Sequence, residues 1–296
     1  MRPFFLRFAA GRAAIAAGLL ALAPAGVAPT RGEEPVPPST PAAPAPSRPP
    51  EIRPTTTSLR LRMGPMANIS LYAPAMSRPD LLPVIFFTGD WGWRPLQQQT
   101  ASALAGEGRF VLGIDSTEYF KRKLEPSDWA MDLKRLRELT NEKAGRAADG
   151  PVLLLGYCWG GEVIPYMINR GGSAGFAGAV LLGPDPKSAF IYRVSLQMET
   201  VVPSPPEESF DTAEELKHLP PSFPVAFIEG ELDTNSAAKT LEPLVRGPHK
   251  RATVPGGDRQ FREVRDIYLD RVSQALAWIE SQGGKNPTPA AGAAAH

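Results

Sequence analysis

The sequence predicts an α/β fold with a mostly parallel central sheet that helices cover on both faces. Short, fully apolar segments such as PVIFF (83–87) and VLLLG (152–156) alternate with segments whose apolar residues recur every three or four positions. Strands that are apolar on both faces are typical of parallel sheets, because crossover helices cover both sides of such a sheet. The chain has one cysteine among 296 residues, so no internal disulfide can support this core.

Residues 1–28 are predicted to be a signal peptide for export. Three arginines precede the apolar stretch AAIAAGLLALAPAGVA (13–28), which ends in small residues. A membrane anchor is the alternative, but a span needs about 20 apolar residues, and this stretch is shorter and contains Pro24. We therefore expect cleavage near Ala28 or a few residues later, and a location in the periplasm or cell envelope.

Low-complexity sequence flanks one predicted domain. Residues 29–57 are rich in Pro, Ala and Ser, a composition that favours extended conformations and cannot build a core, and residues 283–296 form a second such segment. The folded domain is expected at 58–282. Without residues 1–28 the chain carries 29 basic and 31 acidic residues, so it lacks the excess of positive charge that binds nucleic acid backbones. Nucleic acid is not an expected partner.

Alternating apolar and amphipathic segments place the individual elements. Strands are predicted at 58–63, 67–73, 83–87, 110–114, 152–156, 177–182, 224–229 and 251–254, and helices at 95–106, 127–144, 159–170, 236–243 and 260–280. In the second helix Trp129, Leu133 and Leu136 fall on one face, as in an amphipathic helix. Pro165 lies deep in the third helix, where a proline removes a hydrogen bond, so a local bend is expected there.

The segment GYCWGG (156–161) joins a predicted strand to a predicted helix and indicates a nucleophile elbow. Such a turn holds one reactive side chain in a strained conformation, and glycines two residues before and after it avoid collisions. Cys158 occupies the nucleophile position, between Gly156 and Gly160. The alternative is that Cys158 is a small buried apolar residue. In an elbow, the N-terminus of the following helix is expected to lower the pKa of the thiol.

Two further segments are expected to form an oxyanion hole and a ligand surface. In an elbow of this kind one N–H comes from the residue after the nucleophile, here Trp159, and another from the loop after an earlier strand. The segment FFTGDWGW (86–93) is that loop, and Asp90 is its predicted oxyanion residue. Trp91 and Trp93 are predicted to bind the substrate. The alternatives are an ordinary glycine turn and tryptophans that pack beneath the sheet.

The acid of a catalytic triad is expected in FIEGELDTNSA (227–237). Asp233 lies just beyond a strand end, where an acid can orient a histidine. Glu231 is the alternative acid, and a solvated acidic loop without a catalytic role is a third interpretation.

The base of such a triad is not evident in the sequence. A histidine is expected after the last strand, but the segment TVPGGDRQF carries Asp258, Arg259 and Gln260 there. Within the predicted domain, 58–282, the histidines are His218 and His249. His249 precedes the last strand and would enter at the opposite end of the sheet, so His218 is the first candidate for a replacement base and His249 the second.

Four segments together resemble the VirJ/AcvB bacterial virulence proteins, which have an α/β-hydrolase fold. They are FFTGDWGW (86–93), similar to the family's S-G-D-G-G-W; GIDSTEYF (113–120), similar to G-V-D-S-x-x-Y-F; LLLGYCWGGEVIPYMINR (153–170), similar to G-Y-S-F-G-A-D-V-x-P; and VPGGDRQF (254–261), similar to P-G-G-H-H-F. Two departures concern the chemistry. Cysteine replaces the family's serine at 158, and the last segment lacks both histidines.

The resemblance implies an exported protein of the cell envelope. AcvB-type members are associated with hydrolysis of aminoacyl esters of phosphatidylglycerol in the periplasm, and VirJ-type members with export of virulence factors. Two hypotheses follow: hydrolysis of a small-molecule or lipid ester through Cys158, or a binding protein that retains the pocket without the chemistry. Association with a membrane surface is expected, and no metal or cofactor is predicted.

Overall fold

A seven-stranded sheet forms the centre of the computed structural model, which describes residues 69–121, 125–189, 191 and 208–283. The strands are β1 (Ile69–Tyr72), β2 (Val84–Phe87), β3 (Val111–Ile114), β4 (Val152–Tyr157), β5 (Phe176–Leu182), β6 (Lys187–Ala189), β7 (Ser209–Asp211), β8 (Val225–Gly230) and β9 (His249–Val254). The helices are α1 (Pro95–Gly106), α2 (Ser116–Tyr119), α3 (Pro126–Lys143), α4 (Trp159–Gly171), α5 (Thr212–His218), α6 (Ala238–Leu241) and α7 (Arg265–Gly283), and a 3-10 turn covers Glu242–Leu244.

The strand order places the carboxyl ends of all parallel strands at the same edge of the sheet. The order is β1-β3-β2-β4-β5-β8-β9, with β1 antiparallel to β3 and every other neighbouring pair parallel. Strands β6 and β7 form a separate antiparallel pair. In open α/β sheets the carboxyl ends of the strands carry the functional site. The loops after β2, β4, β5, β8 and β9 therefore meet at one edge.

Helices cover the sheet on both faces, as the sequence predicts. Along β4 the side chains alternate between two cores: Leu154 packs with residues of α3 and α4, whereas Leu153 and Leu155 pack with residues of α1 and α7. Every residue of β4 is buried. This burial on both faces explains why the strand is apolar throughout rather than alternating in polarity.

The predicted element bounds agree with most of the sheet. Five predicted strands, at 83–87, 110–114, 152–156, 177–182 and 224–229, lie within one residue of the observed bounds. The last strand begins two residues earlier than predicted, at His249, and the predicted strand 58–63 lies outside the described residues, as do the predicted signal peptide and linker. None of the described helices is long and apolar enough to cross a membrane.

Two predicted helices differ from the observed ones for local reasons. The helix expected at 236–243 is shorter and continues as a 3-10 turn that contains Pro243, a residue that removes a helical donor. The helix expected at 260–280 begins only at Arg265, because Asp258 Oδ1 accepts hydrogen bonds from the N–H groups of Gln260 and Arg262 and holds a turn there.

Candidate active site

Cys158 lies in a sharp turn between β4 and α4, with φ 49° and ψ −121°. A positive φ is strained for a residue with a side chain, and such strain persists only where the surrounding structure enforces it. Close packing of the backbone around Cys158 enforces this conformation. A Cβ atom on Gly156 would lie 2.5 Å from the Cα of Gly161, and one on Gly160 would lie 2.7 Å from the carbonyl carbon of Phe87. The segment therefore has the geometry of a nucleophile elbow.

Acidic groups surround the sulfur atom of Cys158. The Sγ atom lies 4.0 Å from Asp90 Oδ1, and Glu162 and Asp185 each place one carboxylate oxygen within 4.8 Å of it. Glu162 lies in the first turn of α4 and is 3% exposed, and its Oε1 accepts the backbone N–H of Asp185 at 3.0 Å. Sequence reasoning missed Glu162 and Asp185 as site residues. The one available signal was a glutamate four positions after Cys158, on the same helical face.

These neighbours determine the protonation state of the thiol. Burial raises the pKa of Cys158 well above its ordinary value, and the charge of Glu162 raises it further, whereas Arg259 acts in the opposite direction. The expectation of a lowered thiol pKa therefore disagrees with the structure, in which burial is the largest influence on Cys158 and raises its pKa. Burial followed by the charge of Asp185 raises the pKa of Glu162 to about 8. The resting site holds a neutral thiol beside a carboxyl group that titrates near neutral pH.

Arg259 occupies the region where a triad histidine is expected. Its Nη2 donates to Asp185 Oδ1 at 2.7 Å and to the carbonyl oxygen of Gly183 at 2.9 Å, and its Nε lies 3.5 Å from Asp233 Oδ2. The side chain of Asp233 is 2% exposed. Burial lowers the pKa of Arg259, but the charges of Cys158, Asp185 and Asp233 raise it above its ordinary value overall. The predicted triad acid is thus paired with a permanent cation, which cannot act as a base.

The two histidines of the described region lie away from the elbow. His249 is exposed at the first residue of β9, at the opposite edge of the sheet. His218 is exposed at the end of α5, whose Glu215 pairs with Arg170 near the far end of α4. The Nδ1 atom of His218 lies 2.7 Å from the carbonyl oxygen of Glu214. Neither arrangement brings an imidazole to the sulfur atom of Cys158.

The loop after β2 packs directly on the elbow. A Cβ atom on Gly89 would lie 3.3 Å from the Cβ of Cys158, so only glycine fits comfortably at this approach. Asp90, the next residue, turns its carboxyl group toward the sulfur, and burial raises its pKa. Trp159 begins α4, where backbone N–H groups have no partner within the helix. The predicted oxyanion residues Asp90 and Trp159 therefore flank Cys158.

The two tryptophans of this loop lie in different environments. Trp91 is 53% exposed and lines a cavity of 450 Å³ beside the elbow, together with Gly89 and Tyr157. Trp93 turns inward instead: its Nε1 donates to the hydroxyl of Tyr72 at 2.9 Å, and its ring packs against Gly113. Of the two residues predicted to bind the substrate, only Trp91 reaches this cavity. Cys158 lies behind Gly89 and Tyr157 and does not line it.

One group of the described residues has the spacing of metal ligands, formed by Cys158, Glu162 and Asp185. Arg259 already donates to Asp185 at 2.7 Å. A metal cation would therefore compete with a guanidinium for the same carboxylate, and the donor set fits Arg259 better than a metal ion.

Comparisons with known proteins agree with this geometry. A family model described as "Bacterial virulence protein (VirJ)" matches residues 80–274. The esterase Est1E from Butyrivibrio proteoclasticus is 12% identical with a TM-score of 0.52, covering 72% of this chain and 94% of its own. Dienelactone hydrolase from Anabaena variabilis is 14% identical with a TM-score of 0.53, covering 76% and 98%. Comparison with curated proteins gives no match.

At these identities the solved structures establish the fold alone. Esterases and dienelactone hydrolases share the mostly parallel sheet with flanking helices, so the predicted α/β-hydrolase fold is confirmed. The family match spans most of the described domain, including Cys158, Asp233 and Arg259. The resemblance inferred from the four segments is confirmed as well, and the chain belongs to the VirJ family of bacterial virulence proteins.

Proposed function

We propose that this protein is an exported cell-envelope hydrolase that takes up an acyl group from an ester onto Cys158, with Glu162 as the proton acceptor. The observation that carries the proposal is the positive φ of Cys158, enforced by backbone contacts at Gly156 and Gly160. A turn of this kind holds the nucleophile of α/β-hydrolases at the end of a strand. A cysteine that only filled the core would not require this strained conformation.

The first step transfers the acyl group to sulfur. Sγ attacks the ester carbonyl carbon, the thiol proton passes to Glu162, and the carbon–oxygen bond to the alcohol breaks as the alkoxide takes that proton. A base works best when its pKa lies near the working pH, and the pKa of Glu162 is about 8. The separation of at most 4.8 Å between its oxygen and Sγ is too long for a direct hydrogen bond but suits transfer through one water molecule.

Negative charge on the carbonyl oxygen needs nearby donors during this step. The backbone N–H groups of Trp159 and Asp90 are our candidates, since both residues flank Cys158. One such donor typically contributes about 10²–10³-fold to the rate.

Release of the acyl group is the slow step in this proposal. A water molecule must be deprotonated to cleave the thioester, and general-base help at this point is worth about 10²–10⁴-fold. Arg259 pairs with Asp233 in place of a histidine and cannot accept a proton. Among the carboxyl groups around the sulfur, we assign Glu162 to both half-reactions, because its pKa of about 8 lies near the working pH. We therefore propose slow turnover with accumulation of the acylated protein.

The proposed substrate is a small-molecule or lipid ester at a membrane surface. Exposed Trp91 and the 450 Å³ cavity provide an apolar contact beside the elbow. The family resemblance points to an aminoacyl ester of phosphatidylglycerol. The predicted signal peptide would bring the protein to the compartment where such lipids are exposed.

Release of p-nitrophenol from a p-nitrophenyl ester tests the proposal. We expect a burst of one equivalent followed by slow turnover, no burst in Cys158→Ala, and a burst slowed by about 10²-fold or more in Glu162→Gln. Glu263→Gln, which removes an exposed carboxylate, is the matched control. A full-rate burst in Glu162→Gln would remove the assigned base, and a burst in Cys158→Ala would remove the nucleophile.

A binding protein without turnover is the second candidate, and the ion pairs of Arg259 favour it. Arg259 neutralises both Asp185 and Asp233, which stabilises the loop after β9 without any chemistry. In that case the ester would bind reversibly and leave no adduct. Equal affinity in wild type and Cys158→Ala, with no burst in either, would support this second candidate.

A further inference from the structure

Three arginines line the cavity beside the elbow. Arg94 precedes α1, Arg262 lies in the loop after β9, and Arg265 begins α7. No acidic side chain is among the described residues that line this cavity. The protein as a whole is nearly neutral, with a net charge of +1, so a cluster of three positive charges around one cavity is a local feature.

None of these three arginines forms an ion pair within the described residues. Arg94 donates through Nε to the carbonyl oxygen of Trp91 at 2.8 Å, and Arg262 donates through Nε to Gln260 Oε1 at 2.9 Å. By contrast, Arg259 on the same loop as Arg262 pairs with carboxylates. The cavity arginines thus keep donor groups that no carboxylate of the described chain satisfies.

Arg265 provides the most direct indication of a missing ligand. Its Nη1 atom is buried and has no hydrogen-bond partner among the described residues. A buried charged donor without a partner is costly, because burial removes its hydration without replacing it. The guanidinium carbon lies 6.0 Å from the centre of the Tyr268 ring, which holds the side chain at the cavity wall. Because Arg265 also lines the cavity, an anion bound there would lie beside this guanidinium and offset part of that cost.

The N-terminal ends of two helices add to the positive charge around the cavity. The first three residues of α1, Pro95 to Gln97, line the cavity, and α7 begins there with Arg265. Helix N-termini carry a partial positive charge and favour anions. The cavity therefore combines three guanidinium groups with the positive ends of two helices, and both favour a negative group.

We infer that this cavity is a subsite for the phosphate group of a ligand, held by Arg94, Arg262 and Arg265. One guanidinium can already satisfy both oxygens of a carboxylate in a two-point contact. A phosphate offers more acceptor oxygens and therefore suits a cavity with three arginines. The volume of 450 Å³ leaves room for the organic group attached to the phosphate. The subsite adjoins Gly89 and Tyr157, next to Cys158, so on the proposed function a phosphate bound here would hold an ester close to the sulfur.

Calorimetric titration of the Cys158→Ala protein with inorganic phosphate and with glycerol 1-phosphate tests this inference. The variant lacks the proposed nucleophile, so the titration measures binding without acylation. We expect saturable binding that weakens as NaCl is raised, because salt screens partly exposed charges. Vesicles of phosphatidylcholine with and without phosphatidylglycerol distinguish a lipid head group from a soluble phosphate ester as the source. No binding of either soluble phosphate, and no preference for phosphatidylglycerol vesicles, would overturn the subsite even if Cys158 proves to be acylated.

Single substitutions then assign the binding to these arginines. Arg262→Gln and Arg265→Gln should each weaken phosphate binding by about tenfold, since each removes a charge-assisted hydrogen bond. Arg246→Gln, an exposed arginine at the opposite edge of the sheet, is the matched control and should bind normally. Arg262→Lys and Arg265→Lys should retain part of the affinity. Unchanged affinity in both glutamine variants, with the fold intact by circular dichroism, would refute the assignment.

Discussion

Replacing Glu162 with glutamine should make the protein more stable above pH 7 while slowing its acylation. Glutamine has nearly the same volume and keeps an oxygen that can accept the N–H of Asp185, a bond of 3.0 Å in the native protein. Glu162 is 3% exposed, and its carboxyl group lies beside Asp185 and Cys158. The substitution therefore removes a buried acid without opening a cavity.

The size of the effect follows from the pKa of this group. Burial and the charge of Asp185 raise the pKa of Glu162 from 4.5 to about 8. At about 1.4 kcal/mol per pKa unit, the full shift corresponds to about 5 kcal/mol as an upper limit. Between pH 4.5 and pH 8 the folded protein holds this proton and the unfolded chain has released it, so the free energy of unfolding falls as pH rises through that window. Glutamine cannot release a proton, and the variant should lack this contribution.

Urea unfolding of wild type and Glu162→Gln at pH 5, 6, 7 and 8.5 measures the effect. We expect similar stability at pH 5 and a difference in favour of the variant that grows to several kcal/mol, at most about 5, at pH 8.5. Burial also raises the pKa of Asp185, so the variant should keep a smaller dependence on pH. Glu263→Gln is the control for an exposed carboxylate. A difference between wild type and Glu162→Gln that is the same at every pH would refute the reasoning.

Three further substitutions or reactions have definite expected outcomes. Gly156→Ala should lower the free energy of unfolding by about 3 kcal/mol or more in urea, because the added Cβ meets backbone 2.5 Å away at Gly161; a loss below 1 kcal/mol would contradict the packing argument. Arg259→Gln should cost about 3 kcal/mol in urea unfolding at pH 7, since Asp233 is left buried without its cation; a loss below 1 kcal/mol would argue against a stabilising ion pair. Iodoacetamide should modify Cys158 slowly at pH 7 and faster only well above the pKa of a free thiol; rapid reaction at pH 6 would mean a stabilised thiolate.

The central sheet could be predicted from the sequence because its strands are apolar on both faces. Leu153, Leu154 and Leu155 are all buried, so the period-two alternation that marks a half-exposed strand is absent and the parallel arrangement follows. The elbow was equally predictable, because a strained turn requires glycine at fixed positions around Cys158. In both cases a local steric requirement leaves a local pattern.

The chemistry around the sulfur was harder to predict because it depends on contacts between distant segments. Asp185 follows β5 and Arg259 follows β9, and only the strand order brings them together beside Glu162. The absence of histidine was visible in the sequence, but its replacement by an arginine paired with Asp233 was not. Trp93 illustrates the same limit, since its packing on Gly113 depends on which side of the loop faces the sheet.

Short elements were missed for a different reason. Strands β6 and β7 have three residues each, and α5 has seven. Segments of this length contain too few positions for a periodic pattern, so their structure depends on tertiary contacts rather than on local sequence.

The central claim, that Cys158 is an acyl acceptor, is tested most directly by the intact mass of the protein after brief exposure to an activated ester at pH 8. We expect the mass of one acyl group in wild type, located on Cys158 by peptide mapping and lasting for minutes because Arg259 cannot activate water. Cys158→Ala should gain no mass under the same conditions. An unmodified wild-type protein, or an equal mass gain in Cys158→Ala, would contradict the account.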